Sequence, residues 1–171
     1  MEFYDVVKDR HSVRVFTARP IEEQRIERIL EAANAAPSAG DLQAYEIFVL
    51  RDKTMLASLA KAAYGQAFIA RAQLALVFCT NARRSTVKYG ARGERLYAIQ
   101  DASIAATFAM LAIAAEGLAT TWIGAFDDDR VAEVIGNPPG LVPVAIIPIG
   151  YPGEDPLPTP RRPLSDIVHE L

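Results

Sequence analysis

An α+β fold built around a mixed sheet is what this sequence predicts, and three observations carry the prediction. Three apolar, β-rich runs, 45–50, 74–79 and 142–149, are separated by segments with helical spacing and not by a strict strand–helix–strand repeat. No G-x-G-x-x-G follows any of these runs, so nothing points to a Rossmann dinucleotide site. The 171 residues show no internal repeat and no domain linker, which favours one domain over 1–171.

Taken in order, residues 2–9 read as a short helix with Phe3, Val6 and Val7 on one side, and 10–16 as an extended or looped segment. Pro20 suits a helix start, with Glu22 and Glu23 favourable at its N-terminus. Ile26, Ile29, Leu30 and Ala33 recur at helical spacing until Pro37 forces an end near Ala35. Strand 45–50 precedes a surface helix over 54–63 and a shorter one over 66–72. The unbroken apolar run 74–79 predicts a strand buried on both faces. Residues 81–95 hold five cations against one acid, with Gly90 and Gly93 between them, and read as an exposed loop or lid.

The next helix, about 97–116, is the opposite. From Ala102 to Ala115 only Ser103 and Thr107 are polar, and a helix apolar all round must be buried all round. That is hard to arrange in one small domain, so the helix is expected at a subunit interface, with Gly117 as its C-cap. Residues 120–126 read as a strand or turn, and Asp127 as the cap of a helix that Asn137-Pro138-Pro139-Gly140 stops. Pro143 and Pro148 predict an edge or irregular strand over 142–149. The proline-rich stretch 150–163 reads as a stiff arm reaching across something, and 164–170 as a final helical turn.

Composition removes several function classes. Net charge is −3 and pI near 5.4, which gives no support to wholesale nucleic-acid binding. One cysteine, Cys79, excludes an internal disulfide and suits a reducing cytoplasm. The acidic N-terminus lacks a hydrophobic signal core, and the stretch 102–115 is too short and weak to span a bilayer, so a soluble, cytoplasmic protein is expected. His11, His169 and Cys79 cannot make a usual zinc site, and no nucleophile elbow appears. Asp127, Asp128 and Asp129 read as helix capping and not as metal ligands.

Two short segments carry the chemistry. Arg10-His11-Ser12-Val13-Arg14 packs two fixed cations, an imidazole and a hydroxyl together, which is what a phosphate dianion requires. Pro37-Ser38-Ala39-Gly40-Asp41-Leu42-Gln43 is a helix stop followed by small residues, so a flat ligand can approach its backbone closely. Near the other end, Arg161 and Arg162 are held stiffly between Pro160 and Pro163 and form a second candidate anion clamp. On composition alone all four arginines could equally be solvated surface charges.

In this order and spacing, these segments resemble the nitroreductase family of flavin enzymes. The likeness extends through Tyr97-Ala-Ile-Gln100-Asp101, Trp122-Ile-Gly-Ala-Phe126 and Ile149-Gly150-Tyr151-Pro152, and so covers almost the whole chain. It implies a nitroreductase-like α/β sandwich, with a central mixed, mostly antiparallel sheet flanked by helices, as an intertwined homodimer. It implies FMN as cofactor, NADH or NADPH as donor, and a nitroaromatic, quinone or similar small acceptor, with ping-pong kinetics. No side chain need then be an acid–base catalyst, because FMN carries the chemistry.

Residue by residue, the resemblance assigns the FMN phosphate to Arg10, Ser12 and Arg162, with Arg161 beside them and His11 either on the phosphate or in the core. Arg14 falls at the flavin's pyrimidine side, where a cation eases reduction. Pro37, Ser38, Ala39 and Gly40 match a segment that packs on the flavin from the neighbouring subunit. Gln66 matches an amide near the pyrimidine edge, and Ile123, Gly124 and Ala125 the stretch facing the reactive N5 and C4=O. Trp122 is expected in the core.

One departure stands out. Where many relatives read Asn-Leu-Gln-Pro-Trp, this chain has Asp41-Leu42-Gln43-Ala44-Tyr45, and an acid beside a reduced flavin is unfavourable unless it points away or pairs with a cation. A reductive dehalogenase, a flavin-modifying enzyme and a non-catalytic flavin carrier or sensor stay open as other readings.

Overall fold

The computed structural model describes residues 2–171. Ten elements position the site: α1 (Phe3–Asp9), α2 (Glu23–Asn34), β1 (Tyr45–Leu50), α3 (Lys53–Ala62), β2 (Leu74–Asn81), α4 (Ala82–Arg92), α5 (Ala98–Ala115), β3 (Ala119–Thr120), α6 (Asp128–Val134) and β4 (Leu141–Gly150). Among the described residues the strands form one sheet of order β1-β2-β4-β3, and every neighbouring pair is antiparallel. The parallel component expected of a mixed sheet is reduced to a single bridge, Ser12 to Thr120.

The α+β prediction holds because β2 alternates between two cores. Leu74, Leu76 and Phe78 pack with α2 and α5 on one face, while Ala75, Val77 and Cys79 pack with α3 and α6 on the other. Each large side chain so buried contributes about 1.5–3 kcal/mol. Several caps are those the sequence implies. Asp127 accepts from Arg130 N at 3.1 Å, Pro37 lies just beyond the end of α2, and Gly117 leaves α5 at φ +70°. Asp52 caps α3 by accepting from Thr54 N and Met55 N.

Four expectations need correction. The stretch 81–95 is not a loop: α4 occupies 82–92 and a five-residue π turn, Gly93–Tyr97, carries it into α5. Gly90, at φ +53° and ψ −140°, supplies the kink, and Gly93 lies so close to Ser85 that a Cβ there would sit 2.6 Å from its carbonyl oxygen. The glycines that suggested a loop therefore turn one helix into the next. Of the strand or turn expected over 120–126, the strand is Ala119–Thr120 plus a bridge from Ile123 to Ile146.

β4 is an inner strand in the sheet order, not an edge, although it is irregular as its prolines required. Its register against β2 slips between Phe78 and Cys79, beside Pro143. Finally, Trp122 is 37 % exposed and not in the core, its indole nitrogen lying against Gly124.

α5 is not buried all round. Asp101, Ala102, Ala105, Ala109 and Ile113 face the core, whereas Ile99, Ile104 and Phe108 are exposed, beside exposed Phe3, Tyr4 and Val7 of α1. The continuous helical run 82–115 is long and apolar enough to cross a membrane by length and composition. Its inward stripe is accounted for by core packing. Its polar Thr107 satisfies itself by donating to the Ser103 carbonyl at 2.8 Å.

Candidate functional site

The first predicted segment leaves α1 at Arg10 in extended conformation, because the helix ends with Arg10 N donating to the Val6 carbonyl. It then lies along β3, with Val13 N donating to the Thr120 carbonyl at 3.0 Å. Val13 is thereby buried while Ser12 and Arg14 are exposed and Arg10 and His11 half-buried. Two adjoining clefts open here. One, of about 170 Å³, is lined by Arg10, His11, Val13 and Thr120, and the other, of about 450 Å³, by Ser12, Arg14, Leu157 and Thr159.

Glu154 borders both clefts, and its Oε1 accepts from Arg14 N at 2.7 Å and Val15 N at 3.0 Å. The segment thus already presents two backbone donors to an anion of its own chain, while the predicted side chains face open space.

Residues 119–125 connect this segment to the other predicted groups. Thr120 holds Val13, Ile123 exchanges two backbone hydrogen bonds with Ile146, and the Ala125 carbonyl accepts from Gln66 Nε2 at 3.1 Å. Gln66 Nε2 also donates to the Ala63 carbonyl at 3.0 Å, which leaves its Oε1 as the acceptor it can offer a ligand. Ile123 is buried, whereas Gly124 and Ala125 are exposed. The stretch 119–125 therefore meets the Ser12 segment at one end and Gln66 at the other.

The loop 37–44 is held separately, and the residue that holds it was not singled out for this role from sequence. Asp101, 2 % exposed on α5, accepts from Ala39 N at 2.9 Å and from Ala44 N at 3.2 Å. Ser38 Oγ accepts from Gln43 N, and Gln43 Nε2 donates to Asn34. These bonds sustain left-handed backbone at Gly40, Asp41 and Gln43. The signal for Asp101 was available: it is the only charged residue from Ala98 to Ala115, and it sits four residues before Ala105 on the buried stripe. Asp41 is exposed.

The C-terminal pair is not brought to the first segment within the chain. Arg161 donates to the carbonyls of Thr159 and Pro160, and Arg162 to that of Asp166, all in an exposed stretch. The helical turn expected over 164–170 is a three-residue 3-10 turn, Leu164–Asp166.

Competing chemistries are not supported. Burial pushes the Cys79 thiol up to about 12, which makes it a packing residue. No cluster of metal-ligating side chains occurs among the described residues.

Comparison with known proteins identifies the family. The model of the nitroreductase family matches residues 7–151. An NADH dehydrogenase of Thermus thermophilus is 31 % identical over 186 residues, covering 93 % of this chain and 91 % of the relative. The solved structure of the NADPH:FMN oxidoreductase from Vibrio harveyi complexed with NAD+ superposes with a TM-score of 0.90 at 28 % identity, covering 98 % of this chain and 76 % of that one. Nitroreductase A from Vibrio parahaemolyticus gives 0.90 at 30 % identity, over 99 % and 76 %. On the family model that matches 7–151 and on relatives such as the 31 % identical one from Thermus thermophilus, this chain belongs to the nitroreductase family.

Proposed function

We propose that the chain is an FMN-dependent oxidoreductase of one domain, 1–171, that uses NADH or NADPH to reduce a nitroaromatic, quinone or similar small acceptor in a ping-pong alternation. The observation that carries this reading is the stretch 119–125, which bonds the basic, hydroxyl-bearing segment at Thr120 and the Gln66 amide at Ala125.

The residues present fit FMN. Arg10 and His11 line one cleft and Ser12 and Arg14 the other, a charged and hydroxyl donor set suited to a phosphate, which would take the place of the Glu154 carboxylate there. When bound, FMN supplies reversible two-electron chemistry between nicotinamide and acceptor. Arg10, Ser12 and His11 would hold its phosphate, joined by Arg161 and Arg162 once the arm closes. Arg14 would place a fixed cation where negative charge grows, and Gln66 Oε1 would accept a hydrogen bond from the ring edge. The exposed backbone of Gly124 and Ala125 would meet the reactive edge. Pro37, Ser38, Ala39 and Gly40, on a loop held by Asp101, would pack on the flavin of a second copy.

That second copy is the natural cover for the exposed apolar face of α1 and α5, and a homodimer is therefore part of the proposal. One chromatographic run with absorbance and light-scattering detection tests both halves. A flavin band co-eluting at twice 18.6 kDa, and bleaching under anaerobic NADH or NADPH, is the expected result. A colourless protein that takes up no added FMN overturns the reading. A band that persists with both donors makes the protein a flavin carrier or sensor, and a monomer mass removes the dimer.

A further inference from the structure

The chain reverses tightly between the end of α3 and Gln66. Tyr64 and Gly65 both take left-handed backbone there, at φ +54° and φ +79°. Glycine suits that conformation, whereas a tyrosine is strained in it. The Tyr64 side chain is 71 % exposed, so burial does not offset the strain. Strain of this kind persists where surrounding bonds over-determine it, and it gathers at functional sites.

The bonds run to residues 125–127. The Ala62 carbonyl accepts from Asp127 N at 2.9 Å, Tyr64 Oη donates to the Phe126 carbonyl at 3.1 Å, and Gln66 Nε2 donates to the Ala125 carbonyl at 3.1 Å. One turn thus holds three consecutive residues of another. Two more bonds take the carbonyls on either side: Ile146 N donates to that of Ile123 at 3.0 Å, and Val131 N to that of Asp127 at 3.0 Å. Of the carbonyls from Ile123 to Asp127, all but that of Gly124 are therefore used. The N–H groups are treated differently. Those of Gly124 and Ala125, both exposed, have no acceptor among the described residues. Spent acceptors beside free donors give this stretch a donor character that its amino acids alone do not have.

We propose that Tyr64 is a positioning residue for the flavin: through the Phe126 carbonyl it fixes the backbone that offers the Gly124 and Ala125 N–H groups to the flavin's reactive edge. This rests on the flavin reading, which places that edge at 124–125. Reduction raises the negative charge on the ring, and donors already held in place stabilise that charge without reorganising. A slack backbone would lose that advantage and would let a freed carbonyl turn toward the same edge. Tyr64 itself need touch neither FMN nor acceptor, because it acts through Phe126.

Tyr64→Phe removes one hydroxyl from an exposed ring, so its flavin-free Tm should stay within about 1 °C of the parent. On the flavin-loaded protein, affinity for reduced relative to oxidised FMN should fall about fivefold, the worth of one hydrogen bond. A dye-equilibration titration reads this as a midpoint potential about 20 mV lower. Tyr64→Gly loses the same hydroxyl and relieves the left-handed strain, so it should show the same lowering without a loss of Tm. In the flavin-free protein, amide hydrogen exchange at Asp127 should quicken in Tyr64→Phe, since the turn it shares with Phe126 opens more often. A potential equal to the parent's in both variants overturns the proposal. So does an equal loss of affinity for oxidised and reduced FMN, which would make the bond a structural one only. Faster exchange in a protein that takes up no FMN would keep the tie between the two turns and sink the flavin reading, and the role of Tyr64 with it, so the two failures are distinguishable.

Discussion

The loop 37–44 and the arm 157–171 are both proposed to touch the cofactor, and they are built in opposite ways. The loop contains left-handed backbone at Gly40, Asp41 and Gln43, which for the two non-glycines costs about 1 kcal/mol each. It keeps that shape because a buried carboxylate and the Ser38 hydroxyl satisfy its N–H groups. The arm is stiffened by Pro158, Pro160 and Pro163, but its residues are exposed and its arginines bond only to nearby carbonyls. The loop is shaped by its own chain before any ligand arrives, whereas the arm meets the first segment only at Leu157 and Thr159 and is exposed throughout. Damage to the loop should therefore appear in stability and binding together, and damage to the arm in binding alone.

Asp101→Ala breaks the loop side most severely. It strands the Ala39 and Ala44 N–H groups, the second in a buried backbone, and should cost about 3 kcal/mol. In a chain of this size that lowers Tm by about 6–12 °C, with loss of flavin retention. Asp101→Asn keeps one acceptor but turns an NH2 group toward a backbone donor, so its Tm should fall between the two. A flavin-free Tm unchanged in both variants, measured by calorimetry, would show that the loop is not held from α5 at all.

The arm is tested by Arg162→Ala beside Arg10→Ala. Each removes a charged donor to the proposed phosphate, so FMN affinity should drop about tenfold or more in each. Arg162 is exposed, so the flavin-free Tm of its variant should stay within about 1 °C of the parent. Fluorescence titration with FMN gives the affinity. An affinity unchanged in Arg162→Ala would confine the phosphate site to residues 10–14 and remove the arm from it.

The same contrast explains what the sequence could and could not reveal. Elements that depend on local periodicity were legible: the alternating packing of β2, the Pro37 stop after α2 and the Asp127 cap all follow from residue type and spacing. What failed depended on contacts distant in sequence. Gly90 and Gly93 looked like a loop because nothing local shows that Ser85 must be met at close range. Pro143 and Pro148 left edge and irregular strand both open, since the register slip that admits an irregular inner strand depends on β2. Glu154 looked like one more charge in a proline-rich tail, and its bond to Arg14 N spans 140 residues.

The smallest effect concerns the place where sheet gives way to arm. Tyr151 ends β4's run, and its hydroxyl donates to Glu22 Oε2 at 2.6 Å, while the Arg19 guanidinium stacks 3.8 Å from its ring centre. The Tyr151 hydroxyl is the main cause that lowers the Glu22 carboxyl from 4.5 to about 2. A depressed carboxylate contributes stability above its ordinary value and loses it as pH falls through the folded one, so this contact fades between about pH 4.5 and pH 2. Tyr151→Phe keeps the ring for Arg19 and removes only the hydroxyl. Because the pair is exposed, Tm at pH 6 should fall by only about 1 °C. The difference from the parent should close as the pH approaches 2. A difference that stays constant from pH 6 to pH 2 would mean that the ring and not the ionised pair anchors the root of the arm. The root of the arm would then be fastened by packing, where the loop is fastened by hydrogen bonds.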